Sequence, residues 1–213
     1  MKWLHWQKVD LEFFVAKKNL YPTNNDFGGE GGVDMESSIG LFEFYSISDG
    51  LKMTDILLKS SNVHIHKNEI ICPGKYALLI KGDLKAVSNA VSRAKSEKMT
   101  SMIKAELIPD ISDKVFEGLN KNIDELNADA VGVLETKNYV ISLVLADLMV
   151  KSARITILKI LDRLGIVGKG IIIYSGSTSQ VDSAHNCAIG SKYAENIVAS
   201  NTINKPDSNF FNI

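Results

Sequence analysis

The chain says nearly the same thing twice. Ser38-Ile-Gly-Leu-Phe-Glu, followed by Asp55-Ile-Leu-Leu-Lys-Ser-Ser-Asn-Val63, returns as Ala130-Val-Gly-Val-Leu-Glu, followed by Asp147-Leu-Met-Val-Lys-Ser-Ala-Arg-Ile155. Spacing is kept as well as order: Gly40, Glu43, Asp55 and Lys59 stand to one another as Gly132, Glu135, Asp147 and Lys151 do. After a two-residue gap Gly74-Lys75 falls on Gly168-Lys169, Gly82 on Gly176, Val87 on Val181 and Ala90 on Ala184. This is a tandem duplication. Each copy is longer than the roughly 20 to 50 residues of a solenoid unit and can enclose its own core. Two similar domains held on one chain point to a ring or sheet in which neighbouring positions must differ.

A length of 213 residues accommodates two compact domains, each of roughly 100 residues. The 45% hydrophobic and 23% charged shares are those of an ordinary soluble globular protein. A formal net charge of -1 leaves no polybasic footprint, so neither nucleic acid nor a membrane surface is expected as a partner. No stretch reaches the roughly 18 to 20 apolar residues of a membrane span; the richest, 139–150, is short and contains Ser142 and Asp147. Lys2, Lys8, Asp10 and Glu12 interrupt any secretory signal at the start. Cys72 and Cys187 fall at unrelated places in the two copies, which gives no disulfide framework and fits a reducing cytoplasm.

Residues 1–37 form an N-terminal extension outside the duplication, closing in the glycine-rich Asn24-Asn-Asp-Phe-Gly-Gly-Glu-Gly-Gly-Val-Asp34. Glu30-Gly31-Gly32 can be encoded by bases that contain a bacterial ribosome-binding sequence, at a natural spacing before Met35. The expectation is a mis-assigned start, with Met35 as the native first residue; a disordered extension is the alternative. Domain one then covers 38–123, and domain two, with a C-terminal tail, 124–213.

Within copy one, 39–44 reads as a strand, Ser48 and Asp49 as caps of a helix reaching Lys59, and 63–71 as a second strand. Pro73-Gly74 forces a turn, 76–80 is a buried strand, and Asp83 caps a helix with Val87, Ala90, Val91 and Ala94 on one face. Copy two repeats the order: strand 131–134, helix 139–151, strand 155–161, turn 165–168, strand 171–174 and a helix near 179–188. Residues 120–129 are the expected joint. Helices against a mainly antiparallel sheet make each copy an α+β domain.

Several features recur in both copies: Gly-hydrophobic-hydrophobic-Glu in the first strand, a helix ending Asp-x-x-x-Lys-Ser-x-x-Val/Ile, a Gly-Lys hairpin, and Gly-(Asp/Ser)-x-x-x-Val-x-x-Ala opening the second helix. In this order they resemble the bacterial microcompartment shell domain, over most of the chain from Ser38 to about Ala188. The resemblance implies tandem ferredoxin-like BMC domains, two βαββα(β) repeats in unpermuted order. It also implies the tandem-domain class, whose members form homotrimers that imitate a hexamer and tile with other shell proteins in the bacterial cytoplasm. Ile70-Ile-Cys-Pro-Gly-Lys-Tyr76 is similar to the pore-loop segment of tandem shell proteins of propanediol-utilising compartments. In those proteins the loop cysteine faces the central pore and binds an iron–sulfur cluster on the threefold axis.

On its residues alone, a single cysteine reads as an inert packed thiol. The resemblance is what makes Cys72 the iron ligand of a 4Fe-4S cluster shared by three subunits, with one thiolate from each. It likewise assigns Ile71, Pro73, Gly74, Ile166, Val167 and Gly168 to the pore loops, copy two having no cysteine there. Cys187, in a predicted helix, keeps the packing reading. Lys59 and Lys151 each follow an Asp by four residues, the spacing of an exposed helical ion pair; the resemblance puts them on the tile edge. His64 and His66 have a spacing open to a metal, but with no further ligand nearby they read as exposed strand residues, and His185 reads as a helix-surface residue. No Ser-His-Asp, zinc or phosphate-loop pattern is present, so no catalytic residue and no enzyme activity are expected.

The function expected is a structural shell tile with a cluster in its pore for electron transfer across the shell, with an encapsulated redox enzyme as a further partner. Two alternatives stay open. One is the same tile with an empty or gated pore for metabolites; the other is a trimeric ligand-binding regulator.

Overall fold

The computed structural model describes residues 38–71, 73–120, 128–161 and 168–207. The expectations for residues 1–37, for Cys72 and for Ile166 and Val167 lie outside these. Copy one runs β1 (Ser38–Phe44), α1 (Ile47–Ser60), β2 (His64–Ile71), β3 (Lys75–Gly82), α2 (Leu84–Ser96) and β4 (Met102–Ile108). A short α3 (Asp113–Asn120) follows. Copy two runs β5 (Ala130–Thr136), α4 (Tyr139–Ser152), β6 (Thr156–Leu161), β7 (Gly170–Gly176), α5 (Thr178–Ile189) and, after one 3-10 turn, β8 (Ile197–Asn204). Each copy is therefore βαββαβ, with the first strand leading, in the unpermuted order read from the sequence.

The sheets are antiparallel, ordered β2-β3-β1-β4 and β6-β7-β5-β8. Their irregularities recur too. Register slips between Ile65 and Lys67 and again between Ile157 and Lys159, and between Glu43 and Phe44 and again between Glu135 and Thr136. A strand alternates its side chains between two faces, and in copy one both faces are covered. Phe42, Phe44, Leu78 and Ile80 pack with Met53 and Leu57 of α1 and Val87, Ala90 and Ala94 of α2. Ile39, Leu41, Ala77, Leu79 and Ile108 point the other way, into a core shared with Val140, Leu143 and Val144 of α4. The second copy's first helix thus lies between its own sheet and the first copy's. That explains why 139–150 is the most apolar run of the chain: a helix buried on nearly every side must be apolar nearly all round.

Helix starts follow capping chemistry. Asp83 Oδ1 accepts the Ala86 N–H at 2.8 Å and Asn138 Oδ1 that of Ile141 at 3.2 Å. In α1 the cap is Ser46, whose Oγ accepts the Asp49 N–H at 3.2 Å, so the helix begins before Ser48 rather than after it.

One packing relation is inverted between the copies. A Cβ on Gly50 of α1 would lie 2.3 Å from the Tyr76 ring, so only glycine lets the tyrosine in. The corresponding positions in copy two are Ser142 and Gly170, where a Cβ on the glycine would meet Ser142 Cβ at 2.6 Å. The bulk has moved from strand to helix.

Candidate functional site

The expected pore loop of copy one joins β2 to β3. Ile71 is buried, and its carbonyl accepts the Gly74 N–H at 3.0 Å, which draws the loop ends together. Pro73 and Gly74 are exposed. Gly74 has φ +87°, in the left-handed region where glycine alone is unstrained, although nothing would obstruct a Cβ there. Gly168, its counterpart, has φ +72° but is buried. The two loops share a backbone device and differ in surroundings.

Beneath the hairpin is a charged pair that sequence reading quoted as motif residues and gave no role. Lys75 Nζ lies 2.9 Å from Glu43 Oε1, with the lysine nearly buried and the glutamate wholly so. Both groups then reach into copy two. Lys75 Nζ also donates to the Gly168 carbonyl at 3.4 Å, and Glu43 Oε2 accepts the Val140 N–H at 3.2 Å in the first turn of α4. Burial pushes the Glu43 carboxyl above its ordinary range, against the opposing pull of Lys75 and the backbone N–H groups of Val140 and Tyr139. A carboxylate is well placed there, because the first N–H groups of a helix have no partner within it and that end is electropositive.

Glu135 and Lys169 make the same pair at 3.0 Å in copy two, but both side chains stay about one-third or more exposed. The signal in the sequence was the recurrence of Glu with Gly-Lys in both copies; its meaning needed the antiparallel β1–β3 register, which sets Glu43 opposite Ala77, two residues beyond Lys75.

The expected edge lysines also differ in setting. Lys59 Nζ binds Asp55 at 2.7 Å, with both side chains exposed. Lys151 Nζ binds Asp147 at 2.7 Å and in addition donates to the Asp110 carbonyl at 2.6 Å. The buried Asp147 uses its other oxygen to accept the Ser112 N–H at 2.9 Å. This second pair clasps the chain leaving β4, and so ties copy one to copy two.

Of the histidines, His64 is exposed, but His66, expected to be so, is half-buried. It sits at the slip in β2 with its ring 4.5 Å from that of Phe116 in α3, and burial, then Lys81, His64 and Lys67, push its pKa down. His185 is likewise not simply a surface residue: its Nδ1 lies 2.8 Å from Ser200 Oγ, linking α5 to β8. Cys187 is half-buried, with Sγ 3.9 Å from the Leu148 carbonyl, as a packed thiol would be. Among the described residues no three His, Cys, Asp or Glu side chains gather as a metal site, and no helix is long and apolar enough to cross a membrane.

Comparison with known proteins matches the BMC domain model twice, at residues 38–111 and 130–206. The chain is 33% identical over 153 residues to the bacterial microcompartment shell protein PduT of Citrobacter freundii, covering 70% of this chain and 82% of that one. A crystal structure of a microcompartments protein from Desulfitobacterium hafniense DCB superposes with a TM-score of 0.70 at 27% identity, over 84% of this chain and 99% of that. The fused permuted hexameric shell protein of the RMM microcompartment superposes at 0.53 and 17% identity, over 71% and 79%, a likeness of fold alone.

Proposed function

Because this chain belongs to the BMC-domain family of bacterial microcompartment shell proteins, as a tandem, PduT-like member, we propose that it is a homotrimeric, pseudohexameric tile whose central pore carries a 4Fe-4S cluster held by Cys72. It is read as a structural protein and not an enzyme, tiling with other shell proteins through edges that include Lys59 and Lys151. Family membership favours the tile over a ligand-binding regulator.

The observation that carries the cluster reading is the copy-one hairpin. Its ends are fixed by the Ile71–Gly74 hydrogen bond and the buried Glu43–Lys75 pair, and the chain has its one loop cysteine there. The donor set suits such a group only in an assembly. Clusters of this kind are held by about four thiolates, and one chain brings a single thiolate to this turn; three copies around an axis bring three and leave one iron to another ligand. When bound, the group would supply one-electron transfer across the shell. Ile71, Pro73, Gly74, Ile166, Val167 and Gly168 would border the opening.

Anaerobic reconstitution of the full chain with iron and sulfide tests this. The expected result is one four-iron cluster per trimer, seen as a visible charge-transfer absorption and a paramagnetic signal, lost in Cys72→Ser and kept in Cys187→Ser. Iron binding equal in wild type and Cys72→Ser would transfer the reading to an empty pore that passes metabolites. Sheets seen by electron microscopy at wild-type levels in Lys59→Ala/Lys151→Ala would remove the lysines from the tile edge.

A further inference from the structure

The duplication lets each surface of copy two be compared with the same surface of copy one, and one groove differs in a definite chemical direction. Where α4 ends, a cavity of about 320 Å³ opens between Lys114 of α3, Lys151 and Ser152 of α4, Arg154 on the link to β6, and Gln180 in the first turn of α5. That volume lies at the lower end of the range of small-molecule sites, roughly 300–1,000 Å³. Among the described residues, no Asp or Glu lines it. In copy one the counterparts of Lys151 and Ser152 are Lys59 and Ser60, the same residues, whereas those of Arg154 and Gln180 are Asn62 and Ala86. Copy two has therefore gained a permanent cation and an amide at a place where copy one has neither.

The charges at the groove are not all engaged. Lys151 is held by Asp147 at 2.7 Å and by the Asp110 carbonyl at 2.6 Å. Lys114 and Arg154 are exposed and, among the described residues, their side chains have neither an ion pair nor a hydrogen bond. Gln180 Oε1 accepts the Arg154 backbone N–H at 2.6 Å, which ties α5 to the link and leaves the amide NH2, the donor end, uncommitted. Basic residues after a helix often serve its last carbonyls. Here the Ala153 N–H and the Ser152 hydroxyl already donate to the Met149 carbonyl, at 3.0 Å each, and no donor of Arg154 is spent on the helix end. Two cations and an amide are thus brought to one cavity with donors to spare and no acceptor.

We propose that this groove binds an oxyanion of the phosphate class, free or carried as a monoester of a small molecule. The planar guanidinium of Arg154 presents a fork of donors that matches two oxygens of one phosphate, and the Lys114 ammonium adds a point charge from α3. The Gln180 amide is a third donor from α5. A doubly charged group answers two uncommitted cations better than a single carboxylate does. The cavity has about ten times the volume that one water occupies in the liquid, about 30 Å³, so a phosphate leaves room for an organic part beside Val150. The site is built within one protomer and does not depend on the tile reading. Since Lys151 also lines the groove, a bound dianion would offset part of the positive charge that this face of copy two presents.

Calorimetric titration of the full chain tests this, with inorganic phosphate and glycerol phosphate as the two ligands and ionic strength held constant with sodium chloride. Binding should saturate at one ligand per chain, and the tighter of the two identifies the source of the phosphate. Arg154→Asn, which writes the residue of copy one into copy two, should weaken binding about tenfold or more, and Lys114→Gln about threefold, as the loss of a charge-assisted hydrogen bond requires. Arg93→Asn removes an exposed arginine that is already paired with Glu97 in copy one, and should leave binding unchanged. All three positions are exposed, so the variants should keep the wild-type circular dichroism. Heats that never saturate, or that saturate alike in wild type, Arg154→Asn and Lys114→Gln, would overturn the site. Equal weakening in Arg93→Asn and Arg154→Asn would also overturn it, because the effect would then follow net charge and not this groove.

Discussion

Glu43 and Val140 meet across the junction of the two copies: a fully buried carboxylate of the first domain accepts a backbone N–H, at 3.2 Å, from the opening turn of the second domain's first helix. The bond makes the register of one domain against the other a matter of single atoms. A slide of α4 by one residue would leave the carboxylate facing a different part of the helix and Lys75 away from the Gly168 carbonyl.

Lys75→Met removes the cation that lies 2.9 Å from that carboxylate. Breaking a buried pair from one side costs about 3–5 kcal/mol, so the variant should unfold well below wild type at pH 7. The sign with pH follows from the raised Glu43 pKa. A carboxyl whose pKa is higher in the folded state than unfolded binds its proton more tightly when folded, so its contribution is present below the unfolded value and lost as pH rises through the folded one. Without Lys75 the rise is larger. The deficit against wild type should therefore shrink from pH 7 to pH 5 in thermal or denaturant unfolding; a deficit constant over that range would refute the assignment.

Lys169→Met makes the same change in copy two, where solvent reaches both partners. Exposed pairs contribute about 0–1 kcal/mol, so unfolding of the unassociated protomer should be nearly unaffected. Equal losses in Lys75→Met and Lys169→Met would show that burial does not distinguish the two pairs.

Asp147→Ala and Asp55→Ala should separate a buried clasp from an exposed ion pair. Asp147 is buried and accepts from the Ser112 N–H as well as pairing with Lys151, so its loss takes the acceptor from that N–H and should cost about 1–3 kcal/mol of protomer stability, while Lys151 keeps its bond to the Asp110 carbonyl. Asp55 is exposed in the protomer, and its loss should leave the unfolding midpoint of the dilute protomer within about 0.5 kcal/mol. A larger midpoint shift for Asp55→Ala than for Asp147→Ala would contradict the geometry.

Gly50→Ala places a methyl 2.3 Å from the Tyr76 ring. Overpacking of this kind costs about 1–3 kcal/mol, read as a lower unfolding midpoint. In a double-mutant cycle, Gly50→Ser with Tyr76→Gly, the arrangement of copy two, should cost less than the two changes summed. Simple additivity would mean that the two positions do not compete for space.

Much of this was legible in the sequence, for a reason that can be stated residue by residue. Duplication gave each element two independent chances to show itself, so Asp83 marked its helix and the run 39–44 its strand. The fourth strands, Met102–Ile108 and Ile197–Asn204, are faint in the sequence because Lys104, Glu106, Asn201 and Thr202 dilute their apolar signal. α3 went unread, since its amphipathic stretch ends within the polar segment taken for a joint. The cap at Ser46 was misplaced because Ser48 and Asp49 have the right chemistry too, and only backbone geometry chooses among them. The Glu43–Lys75 pair was invisible in role: its partners are distant in sequence, and the bonds that give it purpose cross into the other copy.

The exchange of bulk between Gly50–Tyr76 and Ser142–Gly170 bears on the history of the gene. A freshly doubled sequence is easily shortened or lengthened by recombination between its identical halves, and hybrids of identical halves fold as well as their parents. Once one half holds its large residue on the strand and the other on the helix, a crossover between those sites joins Ser142 chemistry to a tyrosine, which leaves no room for either, or pairs two glycines around a void. Reciprocal packing of this sort acts as a lock on copy number, letting the two halves specialise while counting against any return to one.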